Sequence, residues 1–466
     1  MSTPTRPTVT LSHTGTAGVR PLAAAIHPLA ASRVGASERP AHSFPPADAW
    51  ADGERRAVPG AAVKVPRFFQ AELRQLTIGY MPLLDSAPLL WAAHRGYFHS
   101  QGLAVNLVRE VSWASLRDRL AYGALDAAQC LAPMPVAATL GADGVGVPLM
   151  TGLCLSQGGS AITLSRSVAQ RIGFTAGMAP LDSAHAVARF VRDGGRLRLA
   201  HVFAFSMHHY LLRDWLALGG IEENDPNIEF RVAPPPQMVR LLESGAVDGF
   251  CVGEPWNTAA VRGNLGVIVT PTRAIWDGGA DKVLGVTCEW AGRYPQTHRA
   301  VIVALMLALR DLATQDVARE LAGLLIKRKV LSVPEAWIES ALQGPDATSA
   351  PRFAVGLNAF PRRSQMMWCA LQMLRWRQWA RPVSLQSVTS QVCDGRAFED
   401  AASALRFPLP AVDSVREGAG PVALGMDGST IETRFISGGE LDPAHPAAYL
   451  TERGWMPEAA DAAVRG

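Results

Sequence analysis

Residues 73–88 read LRQLTIGYMPLLDSAP, and the fold class turns on this stretch. Leu73 to Tyr80 is strand-like, and Asp85-Ser86-Ala87-Pro88 follows as a helix-start signal with proline in the first turn. A strand running into a helix start is the opening half of a βαβ unit, and the pattern recurs. Ala104–Val108 precedes a helical Trp113–Tyr122, Leu197–Val202 precedes Met207–Leu218, Ile228–Val232 precedes Gln237–Glu243, and Val247–Val252 precedes Pro255–Arg262. The expected class is therefore α/β, with right-handed crossovers around mostly parallel sheets.

Upstream of this stretch, residues 1 to about 70 are rich in Ala, Pro, Ser, Thr and Gly without a sustained period, which predicts a disordered or weakly structured extension. The chain has 466 residues, enough for more than one lobe. Charged residues make up 18% and the net charge is +3, so direct nucleic-acid binding is not expected. Six scattered cysteines form no C-x-x-C pair and have no histidine at metal-ligand spacing, so neither a zinc site nor a disulfide framework is indicated. The apolar run Ala300–Leu309 is too short to span a bilayer, and no membrane insertion is expected. The best candidate leader, Pro21–Ala31, is interrupted by Pro21, His27 and Pro28, which leads to the expectation of a cytoplasmic protein. No G-x-G-x-x-G after a strand, no G-x-x-x-x-G-K-[ST] and no G-x-S-x-G occurs, so no nucleotide or other cofactor is expected.

An ordered set of motifs starts at Ile78. It comprises Ile78-Gly79-Tyr80-Met81-Pro82-Leu83-Leu84-Asp85-Ser86-Ala87-Pro88, Gly96-Tyr97-Phe98, Ser112-Trp113, Gly123-Ala124-Leu125-Asp126, Pro234-Pro235-Pro236-Gln237-Met238 and Phe250-Cys251-Val252-Gly253-Glu254-Pro255-Trp256-Asn257. With these motifs the chain resembles the NrtA/CmpA/NasS-like family of nitrate-binding proteins and sensors. The resemblance implies a two-lobed, type II periplasmic-binding-protein-like fold with its ligand in the cleft. Lobe 1 is then placed at 71–170 and 269–466, the latter including a C-terminal helical extension, and lobe 2 at 171–268.

The same resemblance implies the ligand set Trp113, Ser160, His208, Gly253 and Lys282. Nitrate is a planar monoanion with acceptors only, so its pocket needs donors and one positive charge: an indole N–H, a histidine N–H, a backbone N–H and an ammonium supply these. Lys282 stands where bicarbonate-binding relatives carry an acidic residue that works with a metal. Ser160 stands where relatives carry an amide, and its shorter hydroxyl leaves space for a water. His208 is preferred to His209, although Ser206-Met207 departs from the family's Gly-Thr-His motif.

Three functions share this core. A sensor that controls a NasT-like antiterminator partner in nitrate assimilation is expected first, and the binding component of an ABC-type anion transporter second. Phe360-Pro361-Arg362-Arg363-Ser364, Trp368, Gln372-Met373-Leu374-Arg375-Trp376 and Ala447-Ala448-Tyr449-Leu450 resemble the sensor branch, and the apolar face of Met366–Trp379 is read as core rather than partner surface. An enzyme is not expected: Asp85, Asp126 and Glu254 lie in motifs with structural uses, and Cys251 is the one thiol near the cleft. If residues 1 to about 70 stand apart from ligand binding, a chain beginning near Phe69 keeps its affinity and melting temperature, which calorimetry and thermal unfolding measure directly.

Overall fold

The computed structural model describes residues 65–464 except 315 and 344–346, so residues 1–64 of the expected extension lie outside the described residues. The opening stretch forms β1 (Gln75–Tyr80), with Leu76, Ile78 and Tyr80 buried at the period of two that a strand requires. It is followed by β2 (Ala104–Arg109), β3 (Ala127–Leu131), β4 (Leu149–Gly158) and β5 (Ser160–Ser165). Next come β6 (Leu197–His201), β7 (Ile228–Val232), β8 (Gly249–Gly253) and β9 (Gly266–Pro271). The series closes with β10 (Trp276–Asp277), β11 (Ala280–Thr287), β12 (Pro351–Phe353), β13 (Ala419–Ala423) and β14 (Thr430–Phe435).

These strands make a six-stranded sheet in the order β12-β4-β11-β3-β1-β2 and a five-stranded sheet in the order β7-β6-β8-β5-β9. The expectation of mostly parallel sheets holds only for their βαβ parts, β2-β1-β3 and β7-β6-β8. Strands β4, β5, β9 and β11, which carry the chain between the sheets, pair antiparallel. A strand arriving from the other lobe enters its sheet from the opposite end, so it runs against the strands already there.

Lobe 2 begins earlier than expected. Its sheet spans Ser160 to Pro271 rather than 171–268, because β5 follows β4 with only Gly159 between them. Gly158 and Gly159 have φ of +62° and +87°, backbone that glycine adopts at little cost. A Cβ at Gly159 would also lie 2.8 Å from Pro351 Cα and 3.0 Å from Asp85 Oδ1.

The C-terminal part is not purely helical, since β13 and β14 join β10 in a third sheet. Its helix Arg363–Arg375 starts and stops a few residues before the expected Met366–Trp379, and Met366, Met367, Trp368, Leu371, Met373 and Leu374 are all core residues. Just past this helix the chain reaches lobe 2. Arg375 Nη1 donates to Asp214 Oδ1 at 2.6 Å, Tyr210 Oη donates to Gln378 Oε1 at 2.6 Å, and Gln378 Nε2 donates to the Ala204 carbonyl at 3.0 Å.

At the N-terminal side, Val65, Phe68 and Phe69 pack on the core and the Phe68 amide donates to Gln101 Oε1. The packed part therefore starts before Phe69. The melting temperature is expected to be kept only by a chain that begins at or before Val65.

Arg362 ties the C-terminal part to the second crossing. It is fully buried, donates to Glu417 Oε1 at 2.9 Å and Oε2 at 3.2 Å, and reaches the Gly278 carbonyl at 3.0 Å. Ser364 and Thr433 hydroxyls complete the shell of Glu417. Removing one partner of such a pair strands the other charge in the interior, so Arg362→Met is expected to cost about 3–5 kcal/mol in a denaturant titration.

Candidate functional site

Where the two crossings pass each other, β11 carries Asp281 and Lys282 between β3 and β4, while β4 leads through Gly158-Gly159 into Ser160. Lys282 is fully buried. Its Nζ lies 2.9 Å from Asp281 Oδ1 and 3.3 Å from Asp85 Oδ2. Ser160 Oγ donates to Asp281 Oδ2 at 3.0 Å, and Ser156 Oγ donates to Asp85 Oδ1 at 2.8 Å. Ser160 is also the register partner of Gly253 at the end of β8. A Cβ on Gly253 would meet Asp85 Oδ2 at 2.9 Å, so the missing side chain lets the β8 backbone approach the carboxylate.

Three of the five expected residues, Ser160, Gly253 and Lys282, are therefore linked around one buried charge, and a fourth, His208, feels it. His208 follows Met207 at the start of the helix Met207–Leu218, whose cap is the Ser206 hydroxyl accepting from the His209 amide. Burial first, and then the Lys282 charge and His201, hold its imidazole well below the usual histidine range, so the ring is neutral and offers one N–H. Neither ring nitrogen of His208 has a hydrogen-bond partner, whereas His209 Nδ1 is 3.0 Å from His201 Nε2. Trp113 stands apart from these contacts. It opens the helix Trp113–Ala121 behind the Ser112 cap, is buried, and its indole N–H lacks a partner.

Two further groups were not among the expected ligands. Gln129 on β3 accepts from the Met81 amide through Oε1 at 3.0 Å, and its Nε2 is buried without a partner. Asp85, read as a structural residue of the helix start, instead faces Lys282, and no cap hydrogen bond forms at Ser86. The other two carboxylates are structural in the expected sense: Asp126 accepts from the Thr77 amide and Trp290 Nε1, and Glu254 from the Thr258 amide and Ser349 Oγ. Cys251 is buried, and burial pushes its thiol well above the usual range, so it carries no thiolate nucleophile at neutral pH.

Burial raises the Asp85 carboxyl from 3.8 to about 6, with Lys282 opposing and Asp281 reinforcing the rise. The folded chain thus holds a proton at this group that the unfolded chain would release. That contribution to stability is complete below about pH 4 and is lost as pH rises through about 6.

The Trp113 indole, the His208 ring and Gln129 Nε2 are buried donors without a partner, and their chemistry suits a small ligand that offers only acceptors. Comparisons with known proteins bear on the same region. A family model described as NMT1-like matches residues 70–326, which contain both large-lobe crossings and all five residues named above. The bicarbonate transport ATP-binding protein CmpC of Synechococcus elongatus is 37% identical over 71% of this chain and 49% of its own length. The nitrate import ATP-binding protein NrtC of Synechocystis is 36% identical over 72% of this chain and 50% of its own. The chain thus spans about half the length of these curated relatives. The nitrate/nitrite binding protein NrtA of Nostoc sp. PCC 7120 is 26% identical over 84% of this chain and 89% of its own length.

Among solved structures, the periplasmic nitrate-binding protein NrtA from Synechocystis PCC 6803 superposes with a TM-score of 0.72 at 26% identity, covering 83% of this chain and all of that one. The alkanesulfonate-binding protein SsuA from Xanthomonas axonopodis pv. citri, at 18% identity and a TM-score of 0.52, shares the fold. The α/β, two-lobed architecture is that of the periplasmic binding proteins, as the sequence motifs imply. The chain belongs to the NMT1-like family.

Proposed function

We propose that this chain binds nitrate or nitrite at the seam between its lobes and acts as a cytoplasmic sensor that controls a NasT-like antiterminator partner in nitrate assimilation. The observation that carries the binding part is the set of buried donors without a partner, Trp113 Nε1, the His208 ring and Gln129 Nε2, together with the fully buried Lys282 ammonium, whose charge acts on His208. Nitrate offers only acceptor oxygens, which suits such a set. The names of the NrtA relatives support the same ligand. Lysine at 282 favours nitrate over bicarbonate, because the charge is supplied by the chain itself.

The ligand is expected to be released unchanged, which incubation of the chain with nitrate followed by anion analysis measures. The sensor role rests on the motifs of the C-terminal third. The binding component of an ABC-type transporter is the second reading, favoured by the transport names of the relatives. ATP binding of the kind those names carry is not assigned here, since the sequence contains no G-x-x-x-x-G-K-[ST].

Losing one hydrogen bond to a charged ligand costs about 1.5–3 kcal/mol, so Trp113→Phe is expected to weaken nitrate binding roughly 10- to 150-fold in calorimetry while the protein stays folded. Unchanged affinity would remove Trp113 from the site. Lys282→Ala is a poorer probe, because it strands Asp85 and Asp281 in the interior and costs stability as well.

Control of a partner requires differential affinity. A 100-fold preference of nitrate for the partner-free form supplies about 2.7 kcal/mol, and by linkage the partner then weakens nitrate binding by the same factor. Size-exclusion chromatography of the chain with a NasT-like protein should show the complex dissociating as nitrate or nitrite is added. A complex that persists at saturation, or recovery of the protein from the periplasm, would reject the sensor and favour transport.

A further inference from the structure

The charge arrangement at the seam presents a problem for any anion. One ammonium is flanked by two buried carboxylates, so with all three ionised the cluster already carries net negative charge before a ligand arrives. A monoanion entering beside it would double that charge in a place water does not reach, and like charges within a few ångströms are strongly unfavourable at low effective dielectric.

The two carboxylates are held differently. Asp281 has Lys282 at 2.9 Å on Oδ1 and the Ser160 hydroxyl on Oδ2. Asp85 has the Ser156 hydroxyl on Oδ1 and the longer 3.3 Å ion pair on Oδ2; neither this oxygen nor Asp281 Oδ1 has a hydrogen-bond donor, so the two differ in how closely the ammonium approaches. Asp85 Oδ2 is turned to the Gly253 backbone, the place where the anion is expected to meet an amide. As an ionised carboxylate, Asp85 puts a bare acceptor beside a ligand that has only acceptors. Protonated, the same oxygen becomes a donor.

Resting on the nitrate-binding reading, we propose that Asp85 takes up one proton from solvent as the anion enters, so that ligand and proton bind together. The net charge of the seam is then the same before and after binding, and the new O–H joins the donor set. The charged groups around Asp85 are consistent with this. Lys282 and Asp281 on β11 are the ones that act on its carboxyl, and the burial that dominates its shift already favours the protonated form. From β12, packed on the same turn, Arg352 points to the surface and pairs with Asp277. Glu254, after β8, is engaged by the Thr258 amide and the Ser349 hydroxyl, and His208 is held neutral.

The test is calorimetry of nitrate binding to the full chain at pH 7.5 in two buffers of different ionisation enthalpy, repeated from pH 5.5 to 8. Nitrate itself does not titrate in this range. The expected result is uptake of about one proton per nitrate at pH 7.5, and an affinity that falls about tenfold per pH unit above pH 6 and levels off below it. Asp85→Asn should abolish the uptake, flatten the profile and bind nitrate at pH 7.5 at least as tightly as the natural chain.

Should Asp85→Asn fail to fold, Ser156→Ala decides the assignment. Ser156 supports the ionised form of Asp85, so its loss should move the inflection to higher pH, and an unmoved inflection would overturn the role of Asp85. Nitrate binding with the same enthalpy in both buffers would overturn the proton uptake and leave the binding site standing. Absence of nitrate binding at every pH would overturn both.

Discussion

Lys282 Nζ, buried between Asp85 and Asp281, is the interaction on which the arrangement of the seam depends. An ammonium withdrawn from water costs several kcal/mol unless it is paired, and its two partners come from distant parts of the chain. Asp85 lies on the turn after β1, Asp281 on the strand that returns from lobe 2. Holding all three in place requires the second crossing to sit at one depth relative to the first lobe's turn. Arg362, held by Glu417, adds to this by donating to the Gly278 carbonyl, immediately upstream on the same crossing. The C-terminal part thereby positions the site without lining it.

The alternation of strands and helices was legible because those elements carry local signals. The helix Met207–Leu218 has the bounds its sequence suggests, since Ser206 caps one end and Gly219 follows the other. Strands β2, β6 and β7 begin where their apolar runs begin. Strands β4 and β11 are buried along nearly their whole length, so polar Ser156, Gln157, Asp281 and Lys282 are buried with the rest and no alternation of apolar and polar residues marks either segment as a strand. The antiparallel crossings and the true start of lobe 2 were hidden for that reason.

The site divides in the same way. Trp113, Ser160, His208, Gly253 and Lys282 were named through the family motifs, and the sequence alone would have left each as an ordinary core or turn residue. Asp85 was visible as part of a helix start, and the helix does begin at Ala87, but its pairing with Lys282 was not. Its hydrogen-bond partner Ser156 is 71 residues away, and nothing in a local pattern reports such a contact. Gln129 sits within the apolar run Ala127–Leu131, and only its unpaired amide in the folded chain draws notice.

The short span from Arg375, the last residue of the C-terminal helix, to Gln378 gives lobe 2 a fastening of its own. Asp214, Tyr210 and the Ala204 carbonyl are all held by it, while the crossings join the lobes through Gly158-Gly159 and Gly278. Lobe 2 is thus tied to the rest of the chain both through the crossings and through these three hydrogen bonds, so a rotation of one lobe against the other about the crossings has to break the Arg375, Tyr210 and Gln378 bonds first.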